Sequence, residues 1–198
     1  MSDLRPKDDR PTRFLKLVAI AMVLGFLGWA VYEKFWVGSS PGDLAYHEAN
    51  TLFEDGFYDR AAAAYREALA EAPGHLHSLR GLARSLHKTG AHEEALALYD
   101  ETITLDPEFA GTYANRGILL DTMGRHEEAL ANYMTALELD PEIADGPHWL
   151  TRFLRNQADA PPTIADRAAY LRFELAKPEA ERVLLMPEAD QQQRPYKQ

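Results

Sequence analysis

A period of 34 residues governs most of this chain. Pro73, Pro107 and Pro141 lie 34 apart, and so do Gly56, Gly90 and Gly124, then Ala61, Ala95 and Ala129, then Tyr65, Tyr99 and Tyr133. A fixed period of this length restricts a chain to architectures in which each unit packs mainly on its neighbours. Within each period two stretches of helical hydrophobic spacing are broken by a glycine. Small residues at the eighth, twentieth and twenty-seventh positions let two helices approach closely, and the tyrosine at the twenty-fourth fills the space between them. The proline after the second helix disfavours helix in the residue before it and so ends that helix. One such hairpin cannot bury its apolar face alone, so the three units, 42–75, 76–109 and 110–143, must stack.

These signals in this register resemble the tetratricopeptide-repeat (TPR) family. The most typical unit runs from Ala110 to Ile143, with Gly117, Gly124, Ala129, Tyr133, Ala136 and Pro141 at the family spacings. The unit from Leu76 matches with Ala83, Gly90, Ala95, Tyr99 and Pro107. The unit from Gly42 matches with Ala49, Gly56, Ala61, Tyr65, Ala68 and Pro73. Three departures stand out: Glu48 and Arg116 where leucine is usual, and Thr102 where alanine is preferred. The resemblance implies an all-α fold, with a right-handed solenoid of helical hairpins.

Residues 144–177 read as a degenerate fourth unit that caps the stack, since terminal repeats are commonly atypical. Pro147 suits the first turn of a helix to about Asn156, with Leu150 and Leu154 apolar. Ala169, Phe173 and Ala176 then repeat the small, aromatic, small spacing of a second helix. The tail, 178–198, begins with a short helix expected over Glu179 to Leu185 and ends in a polar run.

Ahead of the repeats, Leu17 to Tyr32 contains no charged residue, and the apolar character extends over 14–37 if Lys16, Glu33 and Lys34 reach the headgroups. These residues would make roughly 36 Å of helix, enough to span a bilayer with some tilt. Trp29, Tyr32, Phe35 and Trp36 cluster at one end like an interfacial aromatic belt. Arg5, Lys7, Arg10, Arg13 and Lys16 precede the span and only Lys34 closely follows it. The positive-inside rule then puts the basic N-terminus, 1–13, in the cytoplasm and the repeats on the opposite side, in a bacterium the periplasmic face of the inner membrane. A cleaved signal peptide ending near Val37-Gly38-Ser39 is the rival reading, and a buried core helix is another. Residues 38–41 read as a short linker.

No constellation for catalysis is visible: there is no nucleophile elbow, phosphate-binding glycine loop or His-Glu-x-x-His helix, so the expectation is a non-enzyme without a cofactor or a metal site. The absence of cysteine removes disulfides and thiolate chemistry. Residues 38–198 carry fifteen Lys/Arg against twenty-seven Asp/Glu, a net −12, which argues against nucleic acid as a partner. Glu93-Glu94 and Glu127-Glu128 sit at helix starts, where they suit the helix dipole.

In the TPR family, positions 2, 5, 9, 12 and 13 of the first helices line a concave groove that commonly binds extended peptides. Carried onto this sequence, the resemblance places Tyr46, Asn50, Phe53 and Glu54 there from the first unit, and His77, Arg80, Arg84, His87 and Lys88 from the second. The third unit adds Ala114, Ile118, Asp121 and Thr122, and the capping helix His148, Arg152 and Arg155. Arg80, Arg84 and Lys88 are spaced i, i+4, i+8 and share one face. Two readings stand. The stripe binds an acidic or C-terminal carboxylate segment, with Tyr46 and Phe53 as apolar anchors. Alternatively, the arginines pair with acidic neighbours such as Glu48, Glu54 or Asp121. The family's clamp for chaperone C-termini is incomplete, because Tyr46 stands where it uses lysine and Gly81 where it uses asparagine.

The expectation is therefore a scaffold anchored in the bilayer through residues 14–37, which binds a protein partner through its groove for recruitment or assembly of a membrane or periplasmic complex. The alternative is a permanent accessory subunit of a larger membrane complex.

Overall fold

Positions with no charge from Leu17 to Tyr32 form the centre of one continuous helix, α1 (Arg10–Trp36). Its segment Phe14–Glu33 is long and apolar enough to cross a membrane, and none of it is buried. Trp29 and Tyr32 are exposed, with Phe26 packed on Trp29 at a ring separation of 6.1 Å. The helix runs through Phe35 and Trp36, whose side chains lie outside the described residues. The computed structural model describes residues 10–36, 41–145 and 162–185. They fall into two compact units, Met1–Ser40 and Pro41–Gln198.

The second unit is all-helical among its described residues. Its hairpins are α2 (Asp43–Glu54) with α3 (Tyr58–Glu71), α4 (Leu76–Thr89) with α5 (His92–Leu105), and α6 (Ala110–Thr122) with α7 (His126–Leu139). The repeated glycines Gly56, Gly90 and Gly124 close each first helix with φ between 76° and 87°, a left-handed conformation that other residues rarely adopt. Each second helix ends on an extended residue directly before a proline: Ala72, Asp106 and Asp140 have φ between −140° and −145°.

The core follows the period. Tyr65, Tyr99 and Tyr133 are fully buried, as are Ala61, Ala95 and Ala129. A Cβ at Gly117 would come within 2.7 Å of the Tyr133 ring, so the small eighth position is a packing requirement. The three departures have separate causes. Glu48, in the first helix of the first unit, is exposed. Thr102 is buried but donates its hydroxyl to the Leu98 carbonyl at 2.6 Å. Arg116 spans the seam between the second and third units, donating to Asp100 at 2.8 Å and to Asn132 at 3.2 Å.

The expected first capping helix, 147–156, lies outside the described residues. Helix α8 (Ile164–Leu175) opens with a capping box between Thr163 and Asp166. Its register differs from the expected one. Ala169, Phe173 and Ala176 are exposed, and the Lys177 ammonium lies 4.5 Å from the Phe173 ring. The buried stripe is Ile164, Arg167, Ala168, Leu171 and Glu174. Two i, i+4, i+7 stripes compete on this helix; in the buried one Arg167 pairs with Asp121, distant in sequence, and Glu174 with Lys177, one turn on, at 2.6 Å. The helix expected over Glu179 to Leu185 is a single 3₁₀ turn, Glu179–Glu181, followed by extended chain. The Val183 amide is bonded to Glu174 and the Val183 and Leu184 carbonyls accept from Tyr170 and Arg167, which leaves them out of any helical ladder.

Candidate functional site

Contacts between successive first helices place the expected groove residues on one continuous face. Tyr46 of α2 packs on His77 at 5.8 Å and edge-on to His75 at 5.1 Å. Phe53 of α2 lies under the Arg84 guanidinium of α4 at 4.9 Å. His87 of α4 meets the Thr122 hydroxyl of α6 at 3.3 Å. Tyr65 reaches up from α3 and donates its hydroxyl to Asn50 Oδ1 at 2.5 Å.

The accessible part of this face is more aromatic and less cationic than the sequence suggests. Tyr46, Asn50 and Phe53 are half-buried, while His77 and Lys88 are exposed. Arg80 and Arg84, by contrast, are only 3% and 5% exposed. The Arg80 guanidinium turns toward the end of its own unit and the first helix of the next. It donates to Asp106 at 2.5 Å and to Thr112 at 3.1 Å, and stacks on the Phe109 ring at 3.9 Å. Arg84 sits against Phe53, Tyr65 and Tyr99, with its Nε buried and without a hydrogen-bond partner. Burial pushes the Tyr65 phenol up to about 12, a shift that the Arg84 charge partly offsets.

None of Glu48, Glu54 or Asp121 is the partner of Arg80. That role falls to Asp106, and the sequence does carry a signal for it: Asp-Pro recurs at the same repeat position in Asp106-Pro107 and Asp140-Pro141. Of the third-unit residues, Ala114 and Ile118 are buried. Asp121 accepts from Arg167 of α8 through both oxygens, at 2.6 and 3.0 Å, and from His126 Nδ1 at 2.8 Å. Arg152 and Arg155 lie outside the described residues, as does His148.

His87 is another second-unit residue expected in the groove, beside the stripe. Burial, followed by the charges of Lys88 and His92, lowers its pKa to about 4, so it is neutral at pH 7. The unfolded chain therefore binds one more proton than the folded one between pH 4 and 6.5. Stability is complete above pH 6.5 and falls as the pH drops toward 4. The expected loss is on the order of 2–3 kcal/mol. Urea midpoints measured at pH 7 and pH 4.5 should converge less steeply for His87→Gln than for the native chain; parallel slopes would show that His87 is not the titrating group.

Among the described residues, no group of three or more His, Asp or Glu side chains is placed to hold a metal ion. The face can offer aromatic surface, the Asn50 amide and the Lys88 charge to an extended polypeptide.

Family models described as tetratricopeptide repeat match residues 46–108 and 110–143. No curated protein sequence matches. Among solved structures, the chain resembles the type III secretion translocator chaperone SycD of Yersinia enterocolitica, at 17% identity and a TM-score of 0.56, over 72% of this chain and 99% of that one. It also resembles the Sgt2 TPR domain of Aspergillus fumigatus, at 19% identity and a TM-score of 0.52, over 71% and 87%. A third likeness is the TPR2B domain of yeast Sti1, solved in complex with an Hsp70 peptide, at 24% identity and a TM-score of 0.50, over 60% and 94%. These likenesses establish a shared fold.

Proposed function

We propose that this chain, which belongs to the tetratricopeptide-repeat family through residues 46–143, is a membrane-anchored adaptor that holds an extended segment of a partner protein on the face of its first helices. The observation that carries the reading is the face itself. Tyr46, Asn50, Phe53, His77 and Lys88 line up across two successive units with accessible surface, next to a rigid floor built by Arg80 and Arg84. Rigid aromatic side chains give contact area at low entropic loss, and the Asn50 amide suits a peptide backbone. Lys88 supplies a cation for an acidic side chain or a C-terminal carboxylate of the partner. The two arginines contribute shape and register between units.

The yeast Sti1 domain was solved with an Hsp70 peptide. Chaperone C-termini are not the ligand we propose here. Where the family's clamp uses asparagine this chain has Gly81, and a Cβ at that position would lie 2.3 Å from the Tyr65 ring.

The apolar helix Phe14–Glu33 supports anchoring, and the basic residues before it support a cytoplasmic N-terminus with the repeats on the opposite face of a bacterial inner membrane. The adaptor would then serve the recruitment or assembly of a membrane or periplasmic complex. Capture from native membranes in mild detergent tests the reading. Tyr46→Ser with Lys88→Glu should lose the co-purifying partner by at least tenfold while the melting temperature stays within a few degrees. Unchanged capture at unchanged stability would overturn the groove reading. Stoichiometric membrane subunits retained by that variant would point to a permanent accessory subunit.

A further inference from the structure

Four residues after the last 3₁₀ turn are held in a way that helix packing does not explain. Arg182 is extended and donates its Nε to the Lys177 carbonyl at 3.0 Å, and the next two residues lie against α8 through main-chain hydrogen bonds. The Val183 amide donates to Glu174 Oε2 at 2.8 Å. The Tyr170 hydroxyl donates to the Val183 carbonyl at 2.6 Å, and Arg167 Nη2 donates to the Leu184 carbonyl at 2.9 Å. Two of these three holders, Arg167 and Glu174, are each only 4% exposed and ion-paired with Asp121 and Lys177, and each also makes one hydrogen bond to the main chain of this short segment. Leu184 alone packs against the core, while Val183 and Leu185 are 58% and 66% exposed. Arg182 reaches toward Glu127 of the third unit at 3.8 Å.

Main-chain capture with one aliphatic anchor is the way extended peptides are recognised: the backbone bonds give affinity and the anchor gives specificity. We propose that α8 and the end of the third unit form an acceptor for an extended peptide, and that residues 182–185 occupy it in cis. The pattern it reads is a basic residue, any residue, then an aliphatic residue, met here by Arg182, Val183 and Leu184. The exchange partner is a segment of another protein with that same pattern, complementary to Glu127 at one end and to the core at the other. The tether from Leu175 is short, so the cis segment is present at high effective concentration and excludes competitors until it is displaced. The site is separate from the first-helix face, and neither reading depends on the other.

The test uses the full-length chain in detergent micelles and a fluorescent peptide of residues 179–187. Leu184→Asp in the chain unseats its own anchor. That variant should bind the peptide at least tenfold more tightly than the native chain does, and a peptide carrying Leu184→Asp should not bind. Adding Tyr170→Phe to the variant chain should weaken binding several-fold. Should Leu184→Asp lower the helix content, Val183→Pro serves instead, because it removes the amide donated to Glu174 at an exposed position. A folded variant whose residues 182–185 exchange amide protons freely and that binds no peptide would overturn the proposal. Native chains that form tail-swapped dimers, lost on Leu184→Asp, would assign the acceptor to a second copy and overturn the exchange with another protein. Tyr46→Ser with Lys88→Glu should leave peptide binding unchanged, so the two sites are scored separately.

Discussion

Replacing Tyr99 by alanine should lower the stability of the repeat unit by roughly 3–5 kcal/mol, the scale for deleting a buried aromatic. The side chain is fully buried in the central unit, where units on both sides hold its walls and allow little collapse into the space left behind. The loss should show as a melting temperature lower by on the order of 10 °C. Tyr99→Phe makes the contrast. The Tyr99 hydroxyl is buried without a hydrogen-bond partner, and burial raises its pKa. Removing that oxygen relieves an unsatisfied polar group, so Tyr99→Phe should be neutral or stabilising. Urea unfolding of both variants decides the matter: equal losses would mean that the hydroxyl, not the ring, carries the contribution, and an unaffected Tyr99→Ala would undermine the packing role of the repeated tyrosine.

That contrast also marks how far the sequence could be read. The 34-residue period located α2 to α7, the glycine turns, the proline stops and the buried tyrosines, because each of these is written within one unit and then written again. The side-chain partners are written nowhere locally. Arg80 and its acceptor Asp106 are 26 residues apart, at opposite ends of one helical hairpin, and its second acceptor, Thr112, lies in the next unit. A basic stripe at i, i+4, i+8 looks the same in sequence whether it faces solvent or the next unit. The same limit explains α8. Its two candidate stripes have equal spacing, and the one containing Arg167 and Glu174 looks solvent-facing until Asp121 is seen to pair with Arg167, and Lys177 and the Val183 amide to satisfy Glu174. Degenerate ends of a repeat array lose the redundancy that makes its middle legible.

The same buried pair carries the second large effect. Asp121→Ala should cost roughly 3–5 kcal/mol, because it leaves the Arg167 guanidinium in the interior without its carboxylate. Both oxygens of Asp121 are engaged by Arg167, and His126 shares one of them. Removing the charge on both sides is a different case. Asp121→Leu with Arg167→Met replaces a buried ion pair by apolar groups of comparable size, a change that is often neutral. The double variant should therefore be more stable than Asp121→Ala, short of the native chain by about 1–3 kcal/mol for the lost bonds of His126 and of the Leu184 carbonyl. A double-mutant cycle by urea unfolding gives the coupling directly, and strictly additive losses would show that the pair is not the unit of stability. The outcome bears on function as well. Asp121 stands at a position where the family lines its groove, so any loss of partner capture in Asp121→Ala has to be compared with the double variant. Capture restored along with stability would mean that Asp121 serves to dock α8, and that recognition belongs to the Tyr46 and Lys88 wall.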